Sequence, residues 1–214
     1  MNNRVLPIFT LNTVIFPGAT LPLRIFEDRY KKMLNYSVSK DSTFGINLIK
    51  QGYEVGIPAV PYDVGTIVSF SDYTVSESNE EIFLKVVGQE RFKILNILND
   101  RPYILAEIID YSDRPKKINC DHTFEKNFRD EASGFIKKIV SINGGWISDP
   151  MLPDDFNECV WTLSSLLQIP NLTKFEILET RDLYQRAQIL QDQLKIQQVE
   201  IEKVLEELKN QKLN

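Results

Sequence analysis

Residues 11–30, LNTVIFPGATLPLRIFEDRY, constrain the fold more than any other stretch, because a turn, a strand and a helix start follow one another without a spacer. In Phe16-Pro17-Gly18, Pro17 pre-sets φ for the first corner of a type II turn, and Gly18 can take the positive φ of the second. Leu21, Leu23 and Ile25 then alternate with Pro22 and Arg24. This period of two predicts a strand, and Pro22, which has no N–H, confines it to an edge or a strand start. From Phe26 the period becomes helical, with Phe26, Tyr30, Met33 and Leu34 on one face and Glu27 and Asp28 in the first turn, where the helix dipole favours acids. The helix is expected over residues 27–39, ended by Lys40-Asp41-Ser42.

The same reasoning divides the rest of the chain. Residues 1–112 read as strand-rich, with β segments at 5–9, 21–25, 43–49, 66–75, 82–87, 92–98 and 103–111, and polar hairpin connections at 76–81 and 99–102. Residues 113–126 are polar and aperiodic, which predicts a linker. Residues 127–214 read as a helical subdomain. A first stripe, whose helix leads in from the linker, comprises Phe124, Phe128, Ala132, Phe135, Ile136, Ile139 and Val140 and should stop near Asn143-Gly144-Gly145. A second helix is expected from Pro153-Asp154-Asp155 to before Pro170, and a third over 173–179. Thr180 is the expected N-cap of the last helix. Its stripe, Leu183, Ala187, Leu190, Leu194, Gln197, Ile201, Val204 and Leu208, has heptad-like 4-3 spacing, so the helix should pack on the preceding ones in its first half and could pair with a second copy.

Composition excludes several classes. No apolar run approaches the roughly 20 residues that a membrane-spanning helix needs, and no signal-peptide pattern opens the chain, so a cytoplasmic protein without a membrane partner is expected. Cys120 and Cys159 then read as reduced thiols. A formal charge of −5 argues against partners held through phosphates.

The opening block resembles the start of the Lon substrate-binding domain, the N-terminal domain of ATP-dependent Lon proteases that is also found alone and in cereblon. The resemblance rests on Leu6-Pro7-Ile8-Phe9, on Phe16-Pro17-Gly18 and on residues 21–30, followed by Val64-Gly65-Thr66 and by Gly88-Gln89-Glu90-Arg91-Phe92, which looks like the family's turn before its next strand. It implies an α+β fold: a PUA-like mixed β barrel with one inserted helix, followed by a C-terminal helical bundle ending in a long helix. In the family the ATPase and peptidase parts follow this region, so the resemblance implies a stand-alone, non-catalytic module. The implied function is binding of unfolded or partner polypeptide, as an adaptor or chaperone-like binder.

The chemistry-bearing motifs agree with that expectation. The sequence has no phosphate loop ending in Gly-Lys-Ser/Thr and no G-x-S-x-G. Its one histidine, His122, lies in the expected linker. Cys120-Asp121-His122 offers ligand types, but a structural zinc needs four in paired groups, so no metal and no cofactor are expected. The charged and aromatic residues of the family-like motifs, Arg24, Phe26, Glu27, Tyr30, Arg91 and Phe92, are the candidate partner-binding residues. Their competing reading is structural: Arg24 or Arg91 paired with Glu27 or Glu90, and the aromatics in the core. Two other functions remain open: RNA binding, since PUA-like barrels can bind RNA, and small-molecule binding at an unrecognised site.

Overall fold

The turn at Phe16-Pro17-Gly18 forms as its residues require: Gly18 has φ +78°, and the Ala19 amide donates to the Phe16 carbonyl at 3.1 Å. The computed structural model describes residues 4–76, 80–98, 101–115 and 122–212, with side chains as far as residue 203. Among the described residues, eight strands occupy the first part: β1 (Arg4–Leu11), β2 (Thr20–Ile25), β3 (Thr43–Gln51), β4 (Val60–Pro61), β5 (Val64–Ser69), β6 (Tyr73–Val75), β7 (Ile82–Leu98) and β8 (Ile104–Asp110). One helix, α1 (Asp28–Val38), is inserted between β2 and β3. Strands pair in the order β1-β8-β7-β5-β3, and parallel pairing of β1 with β3 closes the ring into a mixed barrel. β4 extends β3, while β2 and β6 pair with β7.

β2 pairs with β7 alone among the described strands, from Thr20 opposite Val87 to Ile25 opposite Ile82, so Pro22 does sit on an edge strand. The alternation along β1 divides its side chains between two cores. Leu6 and Ile8 join Ile67, Phe92 and Ile108, whereas Phe9 joins Phe44, Val68 and Leu105 beneath Tyr30, Met33 and Leu34 of α1.

Three local expectations are corrected. The segment 66–75 is two strands, β5 and β6, separated at residues 70–72. Gly88 to Phe92 is not a turn: β7 runs straight through it for 17 residues. The physical reason is a change of neighbour, since β7 pairs with β2 up to Val87 and with β8 from Phe92. Gly88 serves that crossing by close approach. Its amide donates to Ala19, its carbonyl accepts from Gly18, and a Cβ there would collide with the Phe16 carbonyl. Finally, α1 begins at Asp28, so Phe26 precedes the helix and is exposed instead of joining the Tyr30 face.

The helices after the barrel are α2 (His122–Ile142), α3 (Phe156–Leu166), α4 (Asn171–Glu179) and α5 (Leu183–Lys212). The chain forms two compact units, and the second is not simply residues 127–214. Pro170–Arg181, carrying α4, belongs with the residues up to Asp113, while Arg114–Ile169 and the residues from Asp182 form the other unit. Phe175 stacks on Tyr62 with ring centroids 4.2 Å apart, which shows why α4 groups with the barrel. Of the expected linker 113–126, residues 116–121 lie outside the described residues, and α2 already begins at His122.

The helical unit has its own core. Phe128, Ala132 and Phe135 of α2 and Phe156, Val160 and Leu163 of α3 are buried, as are Leu183, Ala187, Leu190 and Leu194 of α5. The stripe breaks where the sequence breaks it: Gln197 donates to the Gln168 carbonyl at 2.7 Å. Thr180 is not the cap of α5. Its hydroxyl donates back to Glu176 in the last turn of α4, and Asp182 accepts from the Gln185 amide, so the aspartate supplies the N-cap interaction. Cys159 is a buried free cysteine, and burial raises its thiol pKa. Cys120 lies outside the described residues.

Candidate functional site

Six candidate residues were read from the sequence, and the fold separates them into four and two. Arg24, Phe26, Glu27 and Tyr30 line one small groove at the start of α1, together with Glu54 and Val55. Arg91 and Phe92 are elsewhere and buried. Phe92 is 0% exposed and fills the space over Gly45, where a Cβ would stand 2.5 Å from its ring. Arg91 donates to the Leu178 carbonyl at 2.6 Å and the Thr180 carbonyl at 3.0 Å, and pairs with Asp113. Arg91 thus holds the barrel to the end of α4, Phe92 fills the barrel core, and both side chains are buried.

The ion pairs also differ from the pairs weighed in the sequence. Arg24 grips Glu81 through two bonds, Nε to Oε2 at 2.8 Å and Nη2 to Oε1 at 2.5 Å, which raises the guanidinium pKa further. Glu27 pairs with Arg29, its neighbour but one, at 3.2 Å. Tyr30 is nearly buried, its ring 4.2 Å from that of Phe9 and its hydroxyl 3.3 Å from Thr10 Oγ1. Burial raises the phenol pKa.

The Glu27–Arg29 pair has a task that sequence reasoning missed. It faces the loop of residues 52–59 between β3 and β4. Arg29 Nη2 donates to the Glu54 carbonyl at 2.9 Å, the Gly56 amide donates to Glu27 Oε2 at 3.1 Å, and the Asn12 amide donates to Glu54 Oε1. Gly52 and Gly56 take positive φ, +104° and +95°, which lets the loop fold tightly around these anchors. With these polar groups turned inward, three apolar side chains turn outward. Tyr53 is 84%, Val55 58% and Ile57 85% exposed, and Phe26, also exposed, lines the same groove as Val55. Several exposed apolar side chains on one short anchored loop mark an interaction site more often than a lone exposed leucine would. The one legible signal was the string Gly52-Tyr53-Glu54-Val55-Gly56-Ile57, in which alternate apolar residues sit among glycines.

The same loop also lines a larger open groove of about 670 Å³, formed by Asn12, Ile49, Lys50 and Gln51 and by loop residues 52–55. No group of three or more His, Cys, Asp or Glu is disposed to hold a metal among the described residues. No helix among them is long and apolar enough to cross a membrane.

Comparison with known proteins places this architecture. The chain is 26% identical over 201 residues to a Lon protease of Syntrophus aciditrophicus, a match covering 85% of this chain and 23% of that protein. It is 30% identical over 112 residues to a Lon protease of Anaeromyxobacter dehalogenans, covering 51% of this chain and 13% of the relative. The chain therefore spans about a quarter or less of these relatives. Among solved structures, the Lon N-terminal domain protein from Xanthomonas campestris superposes with a TM-score of 0.62 at 23% identity, covering 88% of this chain and 98% of that one. The N-terminal domain of a Mycobacterium avium complex Lon protease does so with a TM-score of 0.65 at 15% identity, covering 90% and 98%. The family model described as the ATP-dependent protease La (LON) substrate-binding domain matches residues 5–195, and the chain belongs to that family.

Proposed function

We propose that the chain is a non-catalytic polypeptide-recognition module that holds apolar segments of unfolded or partner proteins against Tyr53, Val55, Ile57 and Phe26. The observation that carries this reading is the anchored loop: its Glu54 carbonyl and Gly56 amide are bonded to Arg29 and Glu27 and its Glu54 carboxylate accepts from the Asn12 amide, while its apolar side chains face solvent. Fixing a surface before binding reduces the ordering cost of association. Membership of a substrate-binding family supports polypeptide as the ligand class, since the relatives carry the name protease. Delivery of bound segments to a separate protease, or shielding them from aggregation, are the roles such a surface would serve.

The test is binding of a permanently unfolded protein, reduced and carboxymethylated α-lactalbumin, to the chain and to Tyr53→Ser/Ile57→Ser. Each lost anchor should cost about 1 to 2 kcal/mol, so the double variant should bind roughly 30-fold or more weakly. Equal binding by the variant would remove the loop from the proposal. Binding of single-stranded RNA with a steep salt dependence would replace the reading with the nucleic-acid alternative.

A further inference from the structure

The chain between α2 and α3, residues 143–155, is pinned at both ends. At its start the Gly144 amide donates to the Ser141 carbonyl at 3.1 Å, and the Gly145 amide to the Val140 carbonyl at 2.9 Å. Gly144 has φ +76°, the left-handed value that closes a helix at low cost when the residue is glycine. At its end Arg129 of α2 donates from Nη1 to the Pro153 carbonyl and from Nη2 to the Asp154 carbonyl, each at 2.6 Å. Asp155 then caps α3 by accepting from the Glu158 amide. Between these anchors Pro150 is buried and Ile147 and Leu152 are half-buried, yet Trp146 is 85% and Met151 96% exposed. Apolar side chains of this size left in water on an anchored segment mark a contact surface. The charges on the same stretch have one sign: residues 143–158 include Asp149, Asp154, Asp155 and Glu158, all exposed, and no lysine or arginine. Arg129 meets the stretch at its backbone carbonyls and offsets one of these charges at most.

We propose that Trp146 and Met151 form a second polypeptide contact, selective for segments in which lysine or arginine is interspersed with apolar residues. The proposal takes polypeptide as the ligand class from the reading above and does not depend on the loop of residues 52–59. An indole face is the aromatic surface that best attracts a cation. The flexible thioether of Met151 adapts to varied apolar side chains, and the carboxylates of the stretch draw basic segments and repel acidic ones. Other occupants fit less well. Nucleic acid and anionic lipid present phosphates, which these carboxylates repel. A second copy placed by a two-fold axis would set the same carboxylates against themselves.

The probes are a short peptide of alternating leucine and lysine and its control with glutamate in place of lysine. Trp161 is 6% exposed and lies beneath Arg186, whose Cζ is 3.8 Å from its ring centroid, so a blue shift of the fluorescence on binding reports burial of Trp146. The lysine peptide should produce that shift and bind more weakly as salt rises, whereas the glutamate peptide should not bind. Asp149→Asn/Asp154→Asn, which keeps the tryptophan, should weaken lysine-peptide binding about threefold or more, and Met151→Ser about tenfold. Tyr53→Ser/Ile57→Ser should bind the peptide as the parent chain does. Equal binding of the two peptides, a bound lysine peptide without the blue shift, or loss of binding in Tyr53→Ser/Ile57→Ser would overturn the proposal. Should unfolded α-lactalbumin bind while the lysine peptide leaves the fluorescence unmoved, this contact falls and recognition by the 52–59 loop stands. A blue shift with the lysine peptide in a chain that ignores α-lactalbumin would do the reverse.

Discussion

Arg91 shows how a residue that reads as a binding candidate becomes an architectural one. Its guanidinium is buried, and each of its donors described above has an acceptor: two carbonyls at the end of α4 and the Asp113 carboxylate. It also lies 5.5 Å from the Tyr111 ring centroid. Arg91→Met should therefore destabilise the protein by about 3 to 5 kcal/mol in urea unfolding, because it strands Asp113 and two carbonyls that the guanidinium had satisfied. An exposed binding arginine would cost less than about 0.5 kcal/mol. Tyr30 carries a pH signature. Burial raises its phenol above the ordinary value of 10.0, so above that pH the unfolded chain loses the proton first and the folded chain keeps it. The folded state then binds more protons, and stability falls as pH rises from about 10 through the folded value. Tyr30→Phe should flatten the decline of the melting temperature over this alkaline range and cost about 0.5 to 1.5 kcal/mol at neutral pH for the lost bond to Thr10. A decline as steep in the variant would show that other groups govern it.

Among the elements, periodicity was legible wherever one face is buried and illegible where partners decide. β2 and the first half of α5 follow directly from their spacing. Leu190 and Leu194 are fully buried, whereas Ile196 and Val199, off the stripe, are more than half exposed. Leu190→Ala should cost about 2 to 5 kcal/mol, and Ile196→Ala less than about 0.5 kcal/mol. Comparable losses by chemical denaturation would mean that Ile196 is covered in solution, as self-association through α5 would require. Gly88 misled as a turn signal because a glycine that admits a neighbouring backbone looks, in one sequence, like a glycine that takes positive φ. Thr180 misled because a hydroxyl between two helices can serve either end. The candidate site was half legible. Phe26 and Glu27 sat in a motif, but the anchored loop depends on Glu54 and Gly56 meeting residues 25 and more positions away. No local pattern announces such a meeting.

The molecule as a whole is two compact units whose chain segments interleave, and this sets what a fragment can do. The β-rich unit ends at Asp113 and is completed by Pro170–Arg181, so its polar and aromatic closure comes from residues far along the chain. A chain ending after Asp113 keeps every strand yet loses Phe175 from the face of Tyr62, the Asn171 side chain from Asn12, and the Leu178 and Thr180 carbonyls from Arg91. Of the partners described above, Arg91 would then keep the Tyr111 ring and Asp113, the latter at the cut terminus, and lose both carbonyls of the α4 end. Losing one side of a buried charged network costs about 3 to 5 kcal/mol, and exposing an aromatic face adds about 1 to 2 kcal/mol. Since domains of this size are stable by only about 5 to 15 kcal/mol, the fragment 1–113 should show a urea midpoint far below that of the intact chain. A peptide of residues 170–181 added in trans should raise the midpoint in a concentration-dependent way, as binding to the folded state alone must. A fragment that unfolds at the same urea concentration as the intact protein would show that α4 is an accessory. A fragment rescued by the peptide would show that the arginine of the Gly88 to Phe92 motif is there to receive the end of α4.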